Sequence, residues 1–411
     1  ARLKMNSKQQ EALLQIQNGA CVFLTGPAGT GKSFVIHKVI EWAKALKMEI
    51  GITASTGQSA YLINGQTLHS FLKIGLANKP IDIMIRDLKL KRIDKYEQLQ
   101  KLRLLVIDEI SMINNELLDI VSMYLSKIRD CDLPFGGCQI VLCGDFCQLP
   151  PVEGKYCFVS ASWKAANITT VILEQQIRQD GDIIFQKILN ELRWGNCSDE
   201  TLAILEKQKD KEFSNGIVPT KLYSINVDVD MINQQEYNNL VDSGAEKRLY
   251  KTAYTRGSIS KMWADSVKIP EAIELCVGAQ ILVTWNISFD EWIVNGTRGV
   301  VCALNEKSVV IRMTNGKEVA VEYVKVECEF DPSIKIKYMP LKLAYALSIH
   351  KSQGMTLDAV EMDLGRTIFE YGQAYTALSR ARSLDSVKII HVAAKSFKTH
   401  KIVKKLYGIT L

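Results

Sequence analysis

The stretch "CVFLTGPAGTGKSFVIHKVIEWA", Cys21 to Ala43, constrains the architecture of this chain more than any other segment. A short apolar run leads into Gly26–Ser33, which has the spacing G-x-x-x-x-G-K-[ST], and a helix-period pattern follows at once. Strand, glycine-rich loop and helix in that order let backbone N–H groups close around phosphate oxygens, and the helix N-terminus adds partial positive charge. Gly26, Pro27, Ala28, Gly29, Thr30, Gly31, Lys32 and Ser33 are the candidate nucleotide cradle. Lys32 is placed to reach the β and γ phosphates and Ser33 to hold Mg2+.

A P-loop of this kind needs a parallel sheet, and the flanking sequence supplies one. "EIGITAS", "LRLLVIDE" and "CQIVLCGD" are apolar runs of strand length separated by helical patterns, the signature of βαβ units buried on both faces. This first α/β domain is expected over residues 1–165. A second α/β domain is expected over 166–411, from the helical "DIIFQKILNELRWG" and "DETLAILEKQK" and the strand-like "TKLYSIN", "AYALSIHKSQG" and "SVKIIHVA". Within it, Asn295-Gly296 and Asn315-Gly316 turns and the alternating "KEVAVEYVKVECEF" predict a small antiparallel barrel, about 286–335, most distinct between Val294 and Phe330. With 411 residues, domain-size scaling anticipates two or three domains.

Acidic and polar residues at predicted strand ends complete a catalytic set. "LLVIDEIS" puts Asp108 and Glu109 just past an apolar strand, Asp108 to hold Mg2+ and Glu109 to orient or deprotonate water. Two adjacent acids argue for ATP hydrolysis rather than storage. Gln148, in "VLCGDFCQLPPV", stands where it can report the γ-phosphate, with a polar turn before a Pro pair as the alternative. Arg178 and Arg380, in the second domain, are candidates for the positive charge that phosphoryl transfer requires.

Composition narrows the partners. Lys plus Arg outnumber Asp plus Glu by 51 to 45, a mild excess that permits a polyanionic partner. Arg86, Lys89, Lys91, Arg92 and Lys95 form one cluster, which reads either as a phosphate track or as a solvated helix face. The ten cysteines include no CxxC pair, so zinc is not expected and reduced thiols are. No apolar stretch of spanning length and no signal core occur, so no membrane partner is expected. An intracellular setting is expected, with nucleus, mitochondrion and cytoplasm left open. A chain that starts without Met and runs straight into a helical pattern is expected to be a piece of a longer protein.

Taken in order, "NSKQQ", "GPAGTGKS", "TASTGQSAYLINGQTLHSF", "VIDEISM", "PFGGCQIVLCGDFCQLPPV", "LEQQIRQ", "WIVNGTRGVV", "LKLAYALSIHKSQGMTLD" and "FEYGQAYTALSRARSLDSV" cover nearly the whole chain. They resemble the Pif-one (petite integration frequency) branch of superfamily 1 DNA helicases. The resemblance implies two RecA-like P-loop NTPase domains, a small wedge insertion at about 72–100 and an SH3-like barrel insertion. It implies an ATP-dependent 5′-to-3′ helicase that moves on single-stranded DNA and unwinds duplex, forked, R-loop or G-quadruplex DNA in replication, repair or genome maintenance, with recombination among its expected roles. A RecD-like helicase of the same superfamily and a non-unwinding P-loop switch are the alternatives.

By the same resemblance Gln9 reads adenine, Gln148 senses the γ-phosphate, and Arg178 and Arg380 are arginine fingers. Ser55, Thr67, His69 and Phe71 on the first domain, with Asn226, His350 and Ser352 on the second, are candidate single-strand contacts. Gly354, within "HKSQGMT", allows close backbone approach and is grouped with the nucleotide-binding residues. Single-stranded DNA, DNA junctions and RNA–DNA hybrids are the expected partners of a monomer. Two segments depart from the family pattern: "GQSA" stands where GIAA or GVAA is usual, and the helix before "PFGG" keeps only Lys127 and Arg129 basic near its end.

Overall fold

A computed structural model describes residues 4–175, 182–224, 226–329 and 331–409. The chain forms two compact units, the first of residues 1–180 with 266–268 and 328–332, the second of 181–265, 269–327 and 333–411.

The first unit holds a six-stranded sheet of β1 (Val22–Thr25), β2 (Ile50–Ala54), β3 (Gln66–Thr67), β4 (Leu104–Asp108), β5 (Gln139–Cys143) and β6 (Thr169–Ile172), in the order β3-β2-β4-β5-β1-β6. Every neighbouring pair is parallel. β1 is buried at all four positions, as a strand covered on both faces must be. The domain boundary expected at 165 moves outward, because β6 pairs with β1 along its whole length. Gly51 in β2 is a packing requirement: a Cβ there would lie 2.6 Å from Phe71 Cε1.

The segment expected as a wedge contains two helices, Ile81–Lys91 and Ile93–Gln100. Lys127 Nζ, on the helix Asn115–Ile128, bonds Asp82 Oδ1 at 2.8 Å and ties that helix to the pair. Arg86, Lys89, Lys91 and Arg92 are exposed, but Lys95 is 6% exposed, with its ammonium 3.8 Å from the Phe71 ring centroid and bonded to Gln98 Oε1. Lys95 therefore fits neither reading of the basic cluster: it is a core lysine. Burial, with Lys73 and Arg92 adding repulsion, lowers its pKa to about 7.

A depressed lysine pKa has a definite consequence for stability. Between about pH 7 and pH 10.5 the unfolded chain holds a proton at this site that the folded chain lacks, so stability rises with pH across that window. Urea denaturation at pH 7 and pH 9.5 should show the wild type gaining about 3 kcal/mol more than Lys95→Met. An equal pH response in both proteins would contradict this.

The second unit carries a four-stranded parallel sheet, in the order Ala346–Ser348, Thr220–Tyr223, Val360–Leu364, Val387–Val392. The helices Ile183–Arg193 and Asp199–Glu206 form where the sequence placed them. The antiparallel region is larger than 286–335. Strands Lys247–Lys251, Ala272–Cys276 and Gln280–Val283 precede that span, and Leu341–Leu343 follows it. In the five-stranded sheet Gln280–Val283 pairs with Leu341–Leu343, so this sheet takes strands from both sides of the expected span. The alternating segment splits into Glu318–Glu322 and Val324–Glu327, which join different sheets. Phe330, the expected end of the barrel, lies outside the described residues. Asn315-Gly316 makes the expected hairpin turn, whereas Asn295-Gly296 turns against Thr356.

Arg298 joins this β region to the parallel sheet within the second unit. It is wholly buried, donating from Nε to Ile281 O and from Nη1 to Val218 O, each at 2.9 Å, and from Nη2 to Gln280 Oε1. Its backbone N–H donates to Asp358 Oδ1 at 2.8 Å. Burial lowers its pKa to about 10, which leaves it charged. Among the described residues no helix is long and apolar enough to cross a membrane.

Candidate active site

Parallel strands leave their ligands at the carboxyl edge of the sheet, and three loops meet there in the first unit. β5 lies between β1 and β4, so the loop after β5 stands between the P-loop and the Asp108–Glu109 pair. Gly144 N–H donates to Leu24 O at 3.1 Å and fixes that loop to β1.

The P-loop takes its shape from glycines with positive φ, Gly29 at 81° and Gly31 at 87°, the latter capping the helix Lys32–Ala45. Thr30, fully buried, donates to Pro27 O at 2.7 Å, and Lys32 Nζ donates to Gly26 O at 2.6 Å and Pro27 O at 3.1 Å. Ala28, Gly29 and Ser33 are exposed along the rim. Gln9 is 1% exposed. Its Oε1 accepts from Asn6 N–H in a capping box and its Nε2 donates to Thr30 O at 3.1 Å, so in this structure it splints the loop.

Asp108 ends β4. Burial raises its pKa, opposed by the Glu109 N–H at 2.8 Å, by the Cys143 thiol and by Lys32. A carboxylate whose charge is disfavoured in this way gains from a cation, and with the Ser33 hydroxyl it offers the hard oxygen donors that Mg2+ takes beside substrate phosphates. The donor set therefore fits Mg2+, which when bound would neutralise charge building on the phosphates. Glu109 sits at φ 53°, ψ 50°, a left-handed conformation that is costly for a side-chain-bearing residue. Ser111 Oγ lies 3.4 Å from Glu109 Oε1.

Gln148 is 8% exposed, and its N–H bonds Asp145 O. Asp145, 1% exposed, accepts from Cys147 N–H at 3.0 Å and shapes the loop after β5. Sequence reasoning did not give a role to Asp145 or to Cys143. "VLCGD" shows that both follow β5, but nothing in residue type shows that a thiol reaches the Asp108 carboxylate.

The candidate single-strand contacts separate into surface and core. Ser55 N–H donates to Asp108 O at 3.1 Å, and Ser55 Oγ is buried without a partner, so this residue stands beside the carboxylate pair. Thr67 caps the helix Leu68–Leu72 through Ser70 N–H, and His69 is half-buried in the first turn, its pKa lowered by burial. Phe71 is 1% exposed, packed against Gly51 beneath Lys95. It is a core residue and not a strand contact, because its ring closes the space over β2.

On the second unit, Asn226 is exposed and Gly354 is exposed with φ 71°. Ser352 is fully buried, donating to Ile349 O at 2.6 Å and accepting from Arg380 Nε at 3.2 Å, so its assignment as a strand contact is corrected. His350 is half-buried, with Nδ1 lacking a partner and its pKa lowered by burial and by Arg380. Arg380 is 5% exposed at the end of the helix Gln373–Ser379. Arg178 lies outside the described residues.

The sequence profile of the PIF1-like helicases matches residues 4–202. The chain is 32% identical to Pif1 helicase from Candida albicans, whose crystal structure superposes with a TM-score of 0.74 over 99% of both chains. The chain belongs to the PIF1-like helicase family. Its two parallel-sheet units are the RecA-like domains of that family. Bacteroides Pif1, solved with ADP-AlF4, is 26% identical with a TM-score of 0.80, covering 99% of this chain and 97% of that one. The same Bacteroides protein has been solved bound to ssDNA, with a TM-score of 0.65 at 26% identity and the same coverage. The ATP-dependent DNA helicase PIF1 of Xenopus laevis is 33% identical over 417 residues, which are 99% of this chain and 64% of the relative. The chain thus spans less than two thirds of that relative's length.

Proposed function

We propose that this chain is the motor core of an ATP-dependent DNA helicase that moves 5′ to 3′ along a single strand. In a chain of this family, Lys32, Asp108, Glu109 and Gln148 follow β1, β4 and β5 at one carboxyl sheet edge, and the left-handed backbone of Glu109 supports reading it as the hydrolytic base. ATP binds in the P-loop with Mg2+ on Ser33 and Asp108. Glu109 takes a proton from the attacking water, Gln148 reports the γ-phosphate, and Arg380, with Arg178, supplies positive charge to it.

The strand runs past Thr67 and His69 on the first unit and Asn226 and His350 on the second. Both histidines have pKa values lowered by burial, so at pH 7 they act as neutral hydrogen-bonding groups. Forked, R-loop and G-quadruplex DNA and RNA–DNA hybrids are the proposed substrates, in genome maintenance.

Steady-state ATPase assays with and without a single-stranded oligodeoxynucleotide test this reading. Stimulation of about tenfold or more is expected, with His350→Ala losing more of the stimulated rate than of the basal rate. Turnover unchanged by added strand would overturn the motor assignment.

A further inference from the structure

Asn295 has an unmet demand that the nucleotide site does not explain. It is 3% exposed, yet neither its side-chain oxygen nor its side-chain nitrogen has a hydrogen-bond partner. Buried amides are nearly always satisfied, because leaving them unpaired forfeits their solvation. Its backbone is firmly held: Asn295 N–H donates to Asn286 Oδ1 at 2.9 Å, and Asn295 O accepts from Thr356 N–H at 3.0 Å. The turn that carries this buried side chain is therefore fixed.

The same corner of the second unit holds a second anomaly. Trp292 has φ 55°, a conformation that bulky residues rarely take. The exposed Arg382 stacks its guanidinium on the Trp292 ring, 4.2 Å from the centroid. The three segments are linked in a ring of contacts: Asn295 bonds Thr356, and Leu357 exchanges backbone hydrogen bonds with Arg380 and Arg382 at 2.7 and 2.8 Å. The corner thus continues directly from the "HKSQGMT" segment.

The chemistry of the unmet group selects a ligand. A primary amide offers a donor and an acceptor side by side, which matches a nucleobase edge and not a phosphate, an acceptor only. An exposed arginine held flat on an aromatic ring suits the adjoining phosphate and sugar. We propose that Asn295, flanked by the Trp292–Arg382 stack, is a base-reading subsite for one nucleotide of the bound single strand. It rests on the strand-binding reading above, and it gives an otherwise sequence-tolerant motor a base preference.

Fluorescence anisotropy of the full chain with dye-labelled dT, dC and dA 12-mers tests it. The wild type should prefer one homopolymer over the weakest by about fivefold or more, the range that one amide–base pair supplies. Asn295→Leu should erase that preference with no fall in melting temperature, since it removes an unpaired buried amide. Asn295→Asp keeps the size and the acceptor and loses the donor, and should erase the preference as well if the Leu variant folds poorly. Arg382→Gln should weaken all three homopolymers alike. Equal binding of the three by the wild type, or a preference that survives both Asn295 substitutions, overturns the subsite and leaves the motor reading intact. Absence of any single-strand binding or stimulation by the wild type removes the motor reading and the subsite with it.

Discussion

Lys32→Ala is expected to lower ATP turnover by about 10²–10³-fold, about 3–4 kcal/mol of transition-state stabilisation. The magnitude follows from charge: in a P-loop the lysine ammonium cradles the β and γ phosphates, and no neutral side chain replaces it. The structure adds a second effect. Lys32 Nζ also bonds Gly26 O and Pro27 O, so its loss loosens the loop that aims the backbone N–H groups. Turnover and nucleotide affinity should therefore fall together, as steady-state kinetics and fluorescent-nucleotide titration would show. A variant that hydrolyses ATP within tenfold of wild type would contradict the assignment.

Glu109→Gln is expected to separate those two quantities. Removing a general base costs about 10²–10⁴-fold in the chemical step, whereas an amide of the same shape leaves nucleotide binding in place. Single-turnover hydrolysis should collapse while nucleotide affinity stays within about threefold. The left-handed backbone at Glu109 supplies a further handle. Glu109→Gly should be equally inactive yet about 1 kcal/mol more stable, because glycine adopts that conformation without strain. Equal loss of binding and hydrolysis in Glu109→Gln would make Glu109 structural.

Much of this was legible because the informative signals are local. The P-loop is eight consecutive residues whose geometry depends on their own glycines, and Asp108 and Glu109 follow an apolar strand that can only be central. The errors arose where burial decides. Phe71 and Ser352 sit among motif residues and read as contacts, but the ring fills the space over Gly51 and the hydroxyl serves Arg380. Lys95 read as a surface charge because a lysine over an aromatic core has no local signature. The β region extends beyond its expected span because "KRLYK" carries too many charges to read as a strand without its partner Ala272–Cys276. Arg298 has no local signature either: its partners, at 218, 280, 281 and 358, are scattered in sequence and meet only in the fold.

Directional unwinding driven by the P-loop site is measured by strand displacement. Duplexes carrying either a 5′ or a 3′ single-stranded tail are offered with ATP and Mg2+ to the wild type and to Lys32→Ala. Displacement is expected from the 5′-tailed duplex only, and none by the variant. Displacement from the 3′-tailed duplex alone would contradict the polarity, and displacement by Lys32→Ala would contradict the engine itself.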